Sequence, residues 1–214
     1  MLSDSLLRCV DGHEFLPQRD VAIYSFSGMR SNELVEVVYN RFYAKDVKAD
    51  TFVICIGAND YQKPETTFIV DDIRKIVSML NDLSSLIVLC TVPDGFWKNS
   101  KGKPMRFTYE QLQRPRGLLN REILGMAESD KVKVLDLDAL FAGHHGWASE
   151  STPGYYHKDS LHPNSRGTMA MESALKQLLN GEEVVIPHSV ESTKEEDQRR
   201  SLICKENYAK TNLK

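Results

Sequence analysis

The sequence predicts a doubly wound, three-layer α/β/α domain built on a parallel sheet. Two patterns and their alternation lead there. Short, continuous apolar runs rich in Val and Ile suit parallel strands covered on both faces. Between them lie longer segments whose apolar residues recur every three or four positions, the period of a helix with one buried stripe. Strands alternating with helices pack as a sheet between two helical layers.

The strand runs are Val21–Tyr24, Thr51–Ile56, Leu86–Val92 and Val132–Leu137. The first helical pattern, Asn32–Phe42, carries Leu34, Val35, Val38 and Phe42 on one stripe, with Ser31 or Asn32 as N-cap. Phe68–Leu83 repeats Ile69, Ile73, Ile76, Val77, Leu80 and Leu83 at the same spacing. Leu112–Ala127 and Ser165–Leu179 complete the set, and the last stops near Gly181.

Residues 1–186 read as one domain and 187–214 as a charged, flexible tail holding at most a short helix. With 214 residues and 41% hydrophobic content, the chain has bulk for a sizeable core. A formal charge of −3 gives no whole-chain sign of a nucleic-acid partner. Cys9, Cys55, Cys90 and Cys204 lack CxxC spacing, and Cys55 and Cys90 sit in apolar runs, which argues against a disulfide framework. No run of about 18 apolar residues marks a membrane span, and the N-terminus lacks a signal-like stretch. The expectation is a cytoplasmic protein, provided Met1 is the true start.

The long connection Pro93–Gly117 holds Phe96, Trp97, Phe107 and Tyr109 among Lys98, Lys101, Lys103, Arg106, Arg114 and Arg116. It reads as a substrate lid, a small nucleic-acid patch, or a solvated loop with docked aromatics. His144 and His145 look like a metal pair, but adjacent positions rarely converge on one ion and no third ligand is near, so no metal and no cofactor is expected. His157 receives no role, and Asp136 and Asp138 read as strand-end residues.

Three motifs stand in a telling order: Ser3-Asp4-Ser5-Leu6, Gly57-Ala58-Asn59-Asp60 and Asp159-Ser160-Leu161-His162-Pro163-Asn164, with Ser27-Gly28-Met29-Arg30 between the first two. Gly-x-Asn-Asp fixes three positions, and at about 5% usage each it recurs by accident in few chains of this length. Gly28 and Asn59 each follow a predicted strand, at the carboxyl edge where open α/β sheets bind ligands.

With these motifs the chain resembles the SGNH hydrolases, the GDSL esterase/lipase family, from Ser3 to about Leu179. The resemblance implies a flavodoxin-like three-layer α/β/α sandwich and cleavage of carboxylic esters through an acyl-serine intermediate. It implies Ser5 as nucleophile, His162 as base and Asp159 as its orienting carboxylate. The backbone N–H groups of Ser5 and Gly28 and the Asn59 amide would form the oxyanion hole. Asp60 is expected to be structural. Each residue also has a plainer reading: Ser5 as a cap or loop serine, Asn59 as a turn bridge, Asp159 as the cap of the following helix. Substrate would be a small-molecule, lipid or carbohydrate ester. The alternative is a catalytically impaired SGNH-like domain serving as a binding or RNA-interaction module.

Two departures from the family pattern matter. Ser3 replaces the Gly that opens the first motif, and Ser there is strained if the backbone needs positive φ. Only Met1 and Leu2 precede it, so the first strand is largely missing from this chain. A central strand that short leaves ladder groups of its neighbours unpaired, so the expectation is that the sequence begins inside a longer protein or from a misassigned start.

Overall fold

Five parallel strands in the order β2-β1-β3-β4-β5 form one sheet in the computed structural model. It describes residues 1–4, 6–60, 66–94, 109–127, 129–142, 154–157, 162–185 and 193–212. The strands are β1 (Leu2–Ser3), β2 (Tyr24–Ser25), β3 (Ala49–Cys55), β4 (Ser84–Cys90) and β5 (Val132–Leu135). This order is the flavodoxin-like arrangement, with a switch point beside β1. The longer strands are buried toward their carboxyl ends, as Phe52–Ile56 and Ile87–Val92 show.

The helices are α1 (Gly12–Phe15), α2 (Ser31–Arg41), α3 (Thr66–Asn81), α4 (Tyr109–Gly125), α5 (Leu137–Phe141), α6 (Ser165–Asn180) and α7 (Lys194–Asn212). The α3 stripe buries Ile69, Ile73, Ile76 and Leu80, as its period predicts. Helix α6 ends on Gly181 in the left-handed conformation, φ 76°, which a residue without Cβ adopts without strain. Helices α2, α3 and α4 pack in sequence on one side. On the other, Lys176 of α6 reaches the Glu14 carbonyl of α1, and α7 lies against α6.

The structure changes three expectations. The N-terminal N–H of α2 is satisfied by neither Ser31 nor Asn32: the Asp60 carboxylate, 29 residues away, accepts the Ser31 backbone N–H at 2.9 Å. Arg114 and Arg116, counted in both the Pro93–Gly117 connection and the Leu112–Ala127 helical pattern, belong to helix α4, so the connection ends by Tyr109 rather than at Gly117. Lys98, Lys101, Lys103 and Arg106 lie outside the described residues, as do His144 and His145. The C-terminal segment, expected to be a flexible tail, folds over Lys194–Asn212 as α7, with Arg200 and Asn207 buried. Residues 186–192, where the tail was expected to begin, are not among those described.

Strand β1 has two residues and lies in the middle of the sheet, pairing Leu2 with Tyr24 and Ile54, and Ser3 with Ser25 and Cys55. Ala49–Val53 pair with β4 on one edge. On the other edge they take no strand partner among the described residues. A cavity of about 610 Å3 lies there, lined by Met1, Val21, Ala22, Phe42, Thr51 and Val53 among others. The Met1 ammonium reaches into this region, donating to the Ala22 carbonyl at 2.5 Å, and burial pushes its pKa down to about 5.

Candidate active site

Strand β1 ends between the two turns that carry Gly28 and Asn59. The Phe26 N–H donates to the Ser3 carbonyl at 2.9 Å and the Met29 N–H closes a turn on Phe26 at 3.2 Å. Gly28 stands exposed within that turn at φ +74°. A Cβ there would meet nothing within 4 Å, so its backbone conformation, not crowding, selects glycine. On the other side β3 runs into Gly57, φ +117°, where a Cβ would come within 3.0 Å of Val92 and 3.1 Å of Leu119. Both constraints favour glycine, and they turn the chain so that Asn59 follows.

The Asn59 side chain then reaches back. Its Nδ2 donates to the Met29 carbonyl at 3.1 Å, which ties it to the turn holding Gly28. Nδ2 carries two hydrogens and this bond uses one. Asp60, as expected, is structural. Its carboxylate takes both the Ser31 N–H and the Ser31 hydroxyl, the latter at 3.2 Å. Burial raises the Asp60 pKa, and the Ser31 bonds oppose the rise.

The first motif is held with equal care. The Asp4 N–H donates to Cys55, the Asp4 carboxylate accepts the Leu6 N–H at 3.0 Å, and the Ser25 hydroxyl donates to the Asp4 carbonyl at 2.6 Å. Ser3, buried in β1, uses its hydroxyl to accept the Leu7 N–H at 3.3 Å. Asp46 is the one non-glycine with positive φ among the described residues, so Ser3 carries no such strain. Ser5 and Asp159 lie outside the described residues.

His162 is half-buried on the loop entering α6. A short antiparallel bridge between Tyr156 and Pro163 sets that loop, and the His157 N–H donates to the His162 carbonyl at 2.8 Å. Asn164 caps α6 by accepting the Gly167 N–H at 3.0 Å. Its amide also clasps the Gly154 and Tyr156 carbonyls at 2.7 and 3.0 Å. Gly167 fits because a Cβ would stand 2.3 Å from the Tyr155 carbonyl oxygen. Pro163, Asn164 and Ser165 face Arg8 and Cys9 across a cavity, so the His162 loop lies behind the turn that follows the first motif.

With Asn59 tied to the Gly28 turn and His162 on the loop entering α6, sequence comparison decides the family. The family of GDSL-like lipases and acylhydrolases matches residues 9–170. The chain belongs to that family. The match starts after the Ser5 motif and takes in Gly28, Asn59 and His162. No curated protein matches the chain by sequence. Among solved structures, a GDSL-like lipase from Bacteroides thetaiotaomicron is similar with TM-score 0.63 and 17% identity, covering 84% of this chain and 86% of that one. A putative platelet activating factor from Streptococcus pneumonia gives 0.62 and 17%, covering 83% and 81%. A catalytic mutant of an acetylxylan esterase from Geobacillus stearothermophilus gives 0.59 and 17%, covering 87% and 95%. At these identities the likeness is one of fold.

A polar network behind the GDSL-like site escaped the sequence reading. Arg116, counted there as part of a basic loop, is buried and ion-paired with Asp138 and, at 3.7 Å, with Asp94. Asn120 accepts the Val92 N–H and donates to the Val92 carbonyl, both at 2.8 Å. Asp136 caps α5 and accepts the Thr91 hydroxyl. Asp136 and Asp138, the latter through its N–H to the Thr91 hydroxyl at 3.0 Å, thus anchor the carboxyl end of β4. Among the described residues no cluster of three His, Cys, Asp or Glu could hold a metal, and no helix is long and apolar enough to cross a membrane.

Proposed function

We propose that this chain is a serine hydrolase of carboxylic esters, acting through an acyl-serine intermediate. The observation that carries this reading is the bond from Asn59 Nδ2 to the Met29 carbonyl. It fixes an amide donor beside the exposed, positive-φ Gly28 at the carboxyl edge of the sheet, where a developing oxyanion needs donors already aimed.

In this reading the Ser5 hydroxyl attacks the ester carbonyl while one His162 ring nitrogen takes its proton. Asp159 accepts from the other nitrogen, which fixes the tautomer and steadies the imidazolium. The carbonyl oxygen, now negative, receives the Ser5 and Gly28 N–H groups and the second Asn59 hydrogen. His162 returns the proton to the departing alcohol, and water repeats the cycle on the acyl-serine. The substrate class is a lipid, sugar or thiol ester. The resemblance in fold to an acetylxylan esterase makes short acyl groups the first to test.

The test is hydrolysis of a short-chain aryl ester, with labelling by a serine-directed phosphonate. Ser5→Ala and His162→Ala should each abolish turnover, and the double variant should lose little more, because nucleophile and base act as one unit. Asn59→Ala should still label but turn over about 10²–10³-fold more slowly, the usual cost of one oxyanion donor. Full activity in Ser5→Ala would overturn the mechanism. Absence of both turnover and labelling in the wild type would favour the binding-module reading.

A further inference from the structure

Behind the His162 loop a cavity of about 390 Å3 opens between the segment after β1, the start of α6 and one face of α7. Two cysteines line it, one from each end of the chain: Cys9 and Cys204, both partly exposed thiols. The Arg8 Nε–H donates to the Cys204 sulfur at 3.0 Å. The Cys9 thiol lines the same cavity and interacts with that sulfur. Ester hydrolysis as described uses neither cysteine.

We propose that Cys204 is a peroxide-reactive nucleophile and Cys9 its resolving thiol, forming an oxidative modification site distinct from the ester-cleaving centre. A thiolate, not a thiol, attacks peroxide, and thiolates form where cations and donors surround the sulfur. Cys204 has that setting. The neighbouring Cys9 thiol and the Arg8 guanidinium lower its pKa to about 6 against the opposing effect of burial. Cys9 moves the other way: its interaction with Cys204, burial and the neighbouring thiolate charge raise its pKa, so it holds its proton. Of the other cavity-lining charges, Arg200 is engaged by Glu172 and Glu196, while Asp197 and Lys205 offset one another in sign.

The chemistry balances with a hydroperoxide as oxidant. The Cys204 thiolate attacks the distal peroxide oxygen, the S–O bond forms, the O–O bond breaks, and the alkoxide or hydroxide that leaves takes a proton from water. Sulfur is oxidised by two electrons and the peroxide is reduced by two. The Cys9 sulfur then attacks the sulfenic sulfur, the S–S bond forms, and the hydroxyl departs with the Cys9 proton as water. The product staples α7 to the segment after β1.

The experiment treats the full chain with hydrogen peroxide and digests it without reductant for mass spectrometry. The expected result is a Cys9–Cys204 cross-linked peptide, lighter than the two thiols by two hydrogens. Cys9→Ser should halt at a Cys204 sulfenic acid that dimedone traps. Arg8→Gln should slow peroxide consumption at neutral pH by about tenfold, and Arg8→Lys should restore part of the loss. In the unmodified protein, iodoacetamide alkylation of Cys204 should rise with a midpoint near pH 6, an arm that needs no variant. A missing cross-link, or an alkylation midpoint at the ordinary cysteine value, would overturn the proposal. These readouts do not involve ester turnover, so they stand or fall apart from the hydrolase reading.

Discussion

Asn59 and Asp60 are adjacent, yet they meet different demands. The amide is half-buried and keeps a hydrogen for something outside the fold, whereas the carboxylate is buried and spends both oxygens on Ser31. Asp60 therefore caps α2 from a distance and locks the Asn59 turn to the helix that follows Gly28. Asp60→Ala removes an N-terminal cap, a loss of about 1–2 kcal/mol, so Tm should fall by about 2–8 °C for a chain of this size. The pH dependence has a definite sign. Burial raises the Asp60 pKa in the fold, so the folded state holds this proton more tightly than the unfolded one. That stabilisation is present below the unfolded pKa of about 3.9 and is lost as pH rises through the folded value. The stability gap between wild type and Asp60→Ala should thus widen from neutral toward acid pH, as paired thermal melts would read. A gap that closes on acidification would mean the carboxylate matters mainly as an anion.

At the scale of elements, the parts the sequence announced are those whose signal is local. Apolar period placed α2, α3, α4 and α6, and Gly181 marked the end of α6 where the left-handed cap now stands. Gly28 and Asn59 were legible because each follows a strand run in a fixed motif. Gly167 was not, because its necessity is tertiary: the Tyr155 carbonyl crosses α6 where a Cβ would stand. In an ordinary helix Gly→Ala gains about 1 kcal/mol. Here Gly167→Ala should instead lower Tm and, by pushing away the loop that carries His162, reduce ester turnover. A rise in Tm with unchanged kcat would show that the loop yields freely. The cavity beside β1 supports a second expectation. Leu2, Val21, Phe42 and Val53 line it together with Arg19, Asp20, Lys48 and Asp50, and β3 has no strand partner on that edge among the described residues; burial there lowers the Met1 amino pKa to about 5. Fusing about five apolar, β-branched residues ahead of Met1, a usual strand length, should lengthen β1 and raise Tm by several degrees. An unchanged melt would show that the cavity does not accept a strand.

Across the whole molecule, α7 returns the C-terminal end of the chain to the segment after β1, and no apolar stripe announces it. Its attachment is polar. Arg200 makes a bidentate pair with Glu172 of α6 at 2.9 Å for each contact, both residues buried. Asn207 donates to the Arg8 and Val10 carbonyls at 2.9 and 3.1 Å, and Arg199 meets Asp11 at 3.2 Å. A charged sequence without hydrophobic period reads as a tail because its partners are scattered over positions 8 to 172, and no window of sequence contains them. The same reasoning covers Arg116: counted by charge it belonged to a basic loop, but its carboxylate partners sit 22 residues on either side. The energetics of α7 then follow from burial. Two charges taken out of water contribute little net stability as a pair, but a lone survivor is costly, about 3–5 kcal/mol. Glu172→Ala leaves Arg200 with Glu196 as a remaining partner, so it should destabilise the chain by less than that, about 1–3 kcal/mol in urea, and expose α7 to trypsin. Replacing both partners, Glu172→Leu with Arg200→Leu, should recover most of the loss, since apolar side chains of similar volume fill the site without a charge to solvate. A single variant that costs less than about 1 kcal/mol would mean the pair is wet and α7 only loosely docked. A double variant no better than the single would mean that the geometry of the pair, rather than its neutralisation, seats the helix.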